Sequence, residues 1–149
     1  MRAVVQRVTK SSVAVDHKVT GRIGKGLMVL LGVKKGDTEK DVEYISRKIA
    51  ALRVFDDENG VMNRSIKETG GEILIVSQFT LLGDVRKGNR PSYFDAAAPE
   101  EANALYRAVI SKLEGEGLHV EEGVFQAEMA LDISNDGPVT ILLDSERSF

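Results

Sequence analysis

The chain opens on β-branched, alternating stretches. Ala3-Val4-Val5-Gln6-Arg7-Val8 and Ser12-Val13-Ala14-Val15 read as two short strands. Asp16-His17-Lys18 is a plausible turn into a weaker third strand, Val19–Ile23, which Gly24-Lys25-Gly26 breaks. Leu27-Met28-Val29-Leu30-Leu31-Gly32-Val33 is apolar almost throughout, the pattern of a strand buried on both faces. The period then changes. Val42, Ile45, Ile49 and Leu52 recur at three- and four-residue spacing, which predicts a helix with one apolar stripe. Asp37-Thr38-Glu39 opens it with a capping side chain and an acidic first turn.

Asp56-Asp57-Glu58-Asn59-Gly60 is a loop with Asn-Gly turn chemistry. Glu72-Ile73-Leu74-Ile75-Val76-Ser77 is the clearest central strand, and the polar stretch Gly83–Ser92 has no period and reads as a loop. Pro99-Glu100-Glu101 starts a second helix, whose buried stripe is Leu105, Val109 and Leu113 and whose end is Gly115 and Gly117. Leu118–Phe125, Ala127–Ile133 and Val139–Leu143 complete the strands. Strands dominate and two helices interrupt them, without repeats or linkers, so the fold class is α+β. At 149 residues the whole span, 1–149, reads as one domain.

Composition removes several possibilities. A chain of this length buries about two-thirds of its extended surface and needs no covalent staple. It has no cysteine, which excludes a disulfide framework, a thiol nucleophile and cysteine-based zinc sites and fits a reducing cytosol. The N-terminus lacks the apolar core of a signal peptide, and the longest apolar run, Leu27–Leu31, is too short to cross a bilayer. The expectation is a cytoplasmic protein with no membrane partner. A formal charge of −3 gives no global attraction to nucleic acid, so any RNA contact needs a local basic patch.

Candidate chemistry is sparse. There are two histidines, His17 in a predicted turn and His119 at the start of a predicted strand, and neither neighbours a polar motif. A Ser-His-Asp triad is therefore disfavoured. No histidine pairing suggests a metal, and Gly21–Gly26 lacks the strand–helix context of a phosphate loop. Two polar segments stand at strand ends, where loops carry function. They are Ser77-Gln78-Phe79-Thr80-Leu81 and Asn135-Asp136-Gly137-Pro138-Val139-Thr140. Taken alone, the first is a strand end with hydroxyls bonding to local backbone, and the second a turn.

Together, and with Lys87-Gly88-Asn89-Arg90-Pro91-Ser92, these segments resemble the signature of the D-aminoacyl-tRNA deacylase family. The resemblance runs from Met1-Arg2-Ala3-Val4-Val5-Gln6-Arg7-Val8 to the final strand. It implies a mixed, mostly antiparallel sheet curled toward a barrel with two main helices packed outside. It implies a homodimeric hydrolase that needs no cofactor and no metal and strips D-amino acids from tRNA. Ser77, Phe79 and Thr80 would then serve the ester, with Ser77 and the backbone N–H groups of Phe79 and Thr80 facing the oxyanion.

Gln78 would line the same pocket. Gly137-Pro138 would be cis and reach into the partner's active site, where its carbonyls hold the substrate's α-amino group. An L side chain would then meet the backbone wall, a D side chain would point outward, and Gly-tRNA would leak through. Thr140 would join that segment and Arg7 would hold its conformation. Phe125 and Met129 match the family's pocket stretch, although Gln126 and Glu128 depart from its commoner Gly and Asp. Arg86, Lys87 and Arg90 would meet acceptor-stem phosphates. Ser77 and Thr140 both lack a base, which points to the ribose 2′-OH of the substrate itself as the group that assists hydrolysis. Two other readings stay open: a tRNA-binding module without catalysis, and a hydrolase of small D-amino acid esters or peptides.

Overall fold

The computed structural model describes all 149 residues. One long strand organises it. β1 (Arg2–Val15) has 14 residues and merges the two strands expected there. Its first half pairs antiparallel with β3 (Gly26–Gly32), its second half with β2 (Lys18–Ile23), and almost its whole length with β8 (Ala130–Asp144). β3 then pairs in parallel with β6 (Glu72–Ser77), and β6 with β7 (His119–Glu122). The six-stranded sheet is therefore mixed, and it curls until β2 comes against β7. A Cβ on Gly21 of β2 would sit 2.8 Å from the Glu122 carbonyl oxygen, so only glycine fits that approach.

Alternation along β3 and β6 divides the interior in two. Leu27, Val29 and Leu31 of β3, with Ile73 and Ile75 of β6, face the helices. Met28, Leu74 and Val76 face the other side, with Val8, Val13 and Ile23. This is why the run at 27–33 reads as continuously apolar. Helix α1 (Glu39–Ala51) contributes Val42, Ile45 and Ile49, all at 0% exposure. Its partner α3 (Pro99–Gly115) contributes Tyr106, Val109, Ile110 and Leu113. α3 has proline in its first turn. Leu105, expected in the buried stripe, is only partly buried because Tyr106 occupies the inner line.

Other boundaries also differ from expectation. Residues 123–129 form no strand, so the stretch expected at Leu118–Phe125 is β7 alone and that at Ala127–Ile133 starts at Ala130. The Asp56–Gly60 loop joins a small hairpin, β4 (Phe55–Asp56) to β5 (Met62–Arg64). A one-turn helix, α2 (Ile66–Thr69), was not anticipated, although Ser65-Ile66-Lys67-Glu68 carries the capping-box spacing and the Ser65 N–H donates to Glu68 Oε1 at 3.2 Å. No helix is long and apolar enough to cross a membrane.

The α1 cap ties the first helix to the chain ends. The Lys40 N–H donates to Thr38 Oγ1 at 3.3 Å, and the Thr38 N–H donates to Asp41 Oδ2 at 2.8 Å. The Ser145 hydroxyl donates to the other oxygen of Asp41, and the buried Met1 ammonium donates to Ser145 and Asp37. Thr38→Ala removes a capping acceptor and lowers unfolding free energy by about 1 kcal/mol in urea titration. A loss under about 0.3 kcal/mol would show that the cap does not hold this helix.

Candidate active site

At the end of β6 the chain turns sharply. Gln78 donates its N–H to the Leu31 carbonyl at 2.8 Å, and Phe79–Leu82 then form a 3-10 turn. A cavity of about 660 Å³ opens beside this turn. Ser77, Gln78 and Phe79 form one wall, and Tyr93, Ala97, Pro99, Ala102 and Tyr106 a second. Phe125, Gln126, Glu128, Met129 and Leu131 form a third. Of its 18 lining residues 13 are hydrophobic, and Glu128 is the one ionisable carboxylate among them, so polar contacts inside it are few and strongly directed. Neither histidine lines it: His17 sits exposed in the β1–β2 turn at φ 64°, and His119 sits on β7 beside Glu72 and Glu121.

Phe79 and Thr80 are the first residues of the 3-10 turn, so their N–H groups have no acceptor within it. The Gln78 side-chain amide donates to the Thr80 hydroxyl oxygen. The Phe79 ring meets Tyr93 edge to face, with centroids 5.0 Å apart. Beneath the floor, the buried Tyr106 hydroxyl donates to the Ile75 carbonyl at 3.1 Å, and that carbonyl also accepts the Gly123 N–H at 3.3 Å. Burial pushes the Tyr106 phenol well above its ordinary range, so it stays a neutral donor. One side chain thus joins α3, β6 and the 123–129 loop under the cavity. In that loop Gln126 adopts φ 66°, a left-handed conformation that suits the glycine common in the resembled pattern.

The second polar segment lies elsewhere. In the β1–β8 ladder Gln6 pairs with Thr140 and Val8 with Asn135, so residues 136–139 leave the ladder opposite Arg7 alone. The segment expected as a turn is therefore an excursion within one long strand. Gly137 and Pro138 are exposed at its tip, joined by a cis peptide bond. The Asn135 amide donates to Thr140 Oγ1 at 3.1 Å and closes its base.

Arg7 does not face solvent: its side chain is 11% exposed. It donates to the Val54 carbonyl at 2.8 Å, lies 3.3 Å from Asp136 and 3.4 Å from Asp56, and a Cβ on Gly137 would come within 3.0 Å of its guanidinium. None of Arg7, Gly137, Pro138 or Thr140 lines the cavity. Arg7 stands beside Leu27 on β3, whereas Ser77 stands beside Leu31. Four residues along and three strands across put the two segments roughly 20 Å apart in one chain.

The basic loop divides in the same way. Arg86 is committed to Asp84, with Nε at 2.9 Å from one carboxylate oxygen and a terminal nitrogen at 2.7 Å from the other. Lys87 and Arg90 are exposed and make no ion pair, so they are the loop's free cations.

The model of the D-Tyr-tRNA(Tyr) deacylase family matches residues 4–144. The chain belongs to that family. It is 60% identical over 149 residues to a D-aminoacyl-tRNA deacylase of Desulfitobacterium hafniense and 59% identical to one of Anaeromyxobacter dehalogenans, with 100% of this chain and of each relative covered. Among solved structures, the c-Myc DNA Unwinding Element Binding Protein superimposes with a TM-score of 0.91 at 44% identity, covering 97% of this chain and 98% of that one. A probable eukaryotic D-amino acid tRNA deacylase shares the fold, with a TM-score of 0.80 at 20% identity over 95% of this chain and 97% of that one.

Family membership covers both polar segments, and the structure brings Ser77, Gln78, Phe79, Phe125 and Met129 to one cavity. Thr80 adjoins it. Sequence reasoning missed Tyr93, Ala102 and Tyr106. Tyr106 carried a usable signal: it stands three residues before Val109 and seven before Leu113, on the same helical face.

The Asp84–Arg86 pair has a measurable signature. The Arg86 side chain holds the Asp84 carboxyl well below the usual carboxylate range. Because the folded pKa is depressed, the stabilisation is present above the unfolded value and is lost as pH falls through the folded one. In Arg86→Ala the Asp84 carbon-13 titration midpoint rises but stays below about 3.9, because the residue-86 N–H still donates to Asp84 Oδ1. A midpoint unchanged by the substitution would show that Arg86 does not hold this carboxylate.

Proposed function

We propose that the chain hydrolyses the ester of D-aminoacyl-tRNA, releasing the D-amino acid and free tRNA. The observation that carries this reading is the cavity itself: Ser77, Gln78 and Phe79 form its wall beside two N–H groups without acceptors in their turn, and no histidine lines it. That arrangement suits an ester whose carbonyl oxygen becomes negative in the tetrahedral intermediate. The Phe79 and Thr80 N–H groups and the Ser77 hydroxyl supply the donors. With no imidazole to deprotonate Ser77, water is activated by the ribose 2′-OH beside the ester, and the protein contributes position and charge stabilisation.

Chirality is read by main chain. Gly137 and Pro138 offer exposed carbonyls to the α-ammonium, with Arg7 packed behind Gly137 and Thr140 closing the base. Since the two segments of one chain stand roughly 20 Å apart, a site that uses both takes the cavity from one protomer and Gly137-Pro138 from its partner, and the active unit is a homodimer. The side chain is never read, so many D-amino acids are accepted, and glycine, which has nothing to exclude, is hydrolysed as well. Lys87 and Arg90 attract acceptor-stem phosphates without reading sequence, while Arg86 is already neutralised by Asp84.

Deacylation of D-Tyr-tRNA and L-Tyr-tRNA by the purified protein tests the reading. Rapid loss of the D ester alone is expected, with D-Tyr-tRNA ending in 2′-deoxyadenosine turned over at least about 100-fold more slowly. Loss of both esters would contradict main-chain selection. Full activity on the deoxy substrate would contradict RNA assistance and turn attention to Glu128, the carboxylate in the cavity wall.

A further inference from the structure

Phe94 is the most exposed large apolar side chain of the protein, at 75%. It directly follows Tyr93, which lines the cavity and packs against Phe79, so an exposed ring stands one residue along the chain from the cavity wall. The Lys35 ammonium sits 3.8 Å from the Phe94 ring centroid and makes no ion pair. The backbone beneath is fixed: the Lys35 N–H donates to the Asp95 carbonyl at 2.8 Å, and Lys34 bridges to Ala96. Asp95 is the one acid in this stretch. The loop with the free cations Lys87 and Arg90 returns through the Asp84–Ser92 bridge to end just before Tyr93.

An exposed ring held by a cation, beside further free cations, has the chemistry that binds single-stranded nucleic acid. A base stacks on the ring and the ammonium meets the neighbouring phosphate, with no need to read sequence. We propose that Phe94 and Lys35 form a stacking platform for the unpaired nucleotides that precede the terminal adenosine of the tRNA acceptor end. This rests on the deacylase reading, since it requires the aminoacyl adenosine to occupy the adjoining cavity. The platform lies outside the cavity, so it acts on the affinity for RNA and leaves the chemical step alone.

The test compares D-Tyr-tRNA with the short ester D-tyrosyl-adenosine, which lacks those nucleotides. Phe94→Ala is expected to raise KM for D-Tyr-tRNA about tenfold, the value of one stacked base, with kcat within about twofold and KM for the short ester changed far less. Lys35→Ala acts in the same direction, and Phe94→Trp restores the wild-type KM. Equal changes on both substrates, or no change on either, would overturn the platform while leaving the deacylase reading intact. A shift of Phe94→Ala to a smaller species in sedimentation would also overturn it, by assigning the ring to a contact between copies. Hydrolysis of neither substrate by the wild-type protein would overturn the deacylase reading and the platform with it.

Discussion

The pairing of β1 with β8 along almost the full length of both strands is the constraint on which the rest depends. β1 also carries β3 on one half and β2 on the other, so its register is set by three partners. A slip of one residue would turn Val5 and Val8 away from the two cores they serve. β8 carries surplus residues, 136–139, opposite Arg7, and β1 carries one of its own, Thr9, at the next step of the ladder. The excursion presents Gly137 and Pro138 because the sheet around it does not yield.

Arg7 packs directly against that excursion. Its guanidinium is 11% exposed, and its buried Nε makes no hydrogen bond, with the Asp136 carboxylate 3.3 Å away. Val54, Asp56 and Asp136 surround it, so the β4 hairpin and the excursion are joined through one side chain. Tyr106 plays the corresponding part at the other end, where its hydroxyl ties α3 to the strand that delivers Ser77. Both polar segments are thus held by interactions beneath them and left open above. Their separation within one chain follows from the register of β1 and β3, and the proposed two-protomer site is built on it.

Much of the fold was legible because the periods are clean. Val42, Ile45 and Ile49 lie on the buried face of α1 as their spacing requires, and the apolar run at 27–33 is buried on both faces. The merging of strands was not legible: residues 9–11 fall between the two expected strands, whereas in the structure they belong to β1, where Lys10 pairs with Ser134 and Ser11 with Ile133 of β8. Nor was the excursion. Asn, Asp, Gly and Pro signal a turn whether the chain reverses or only bulges, and the partner strand decides which. The segments at 77–81 and 135–140 were visible as polar strand ends, and the family resemblance gave them meaning. Arg86 looked equivalent to Lys87 and Arg90 until the carboxylate two residues before it was seen to close on it.

The central claim is that one chain's cavity works with its partner's Gly137-Pro138 segment. Subunit mixing tests it most directly. Ser77→Trp fills the cavity wall, and Gly137→Val clashes with Val139 and Arg7, where a Cβ already comes within 2.9 and 3.0 Å. Each homodimer is expected to be inactive on D-Tyr-tRNA. A dimer co-expressed from both variants carries one intact composite site, and a statistical mixture recovers about a quarter of wild-type activity. No recovery from a mixture shown to contain heterodimers would contradict the account and place the whole site within one chain.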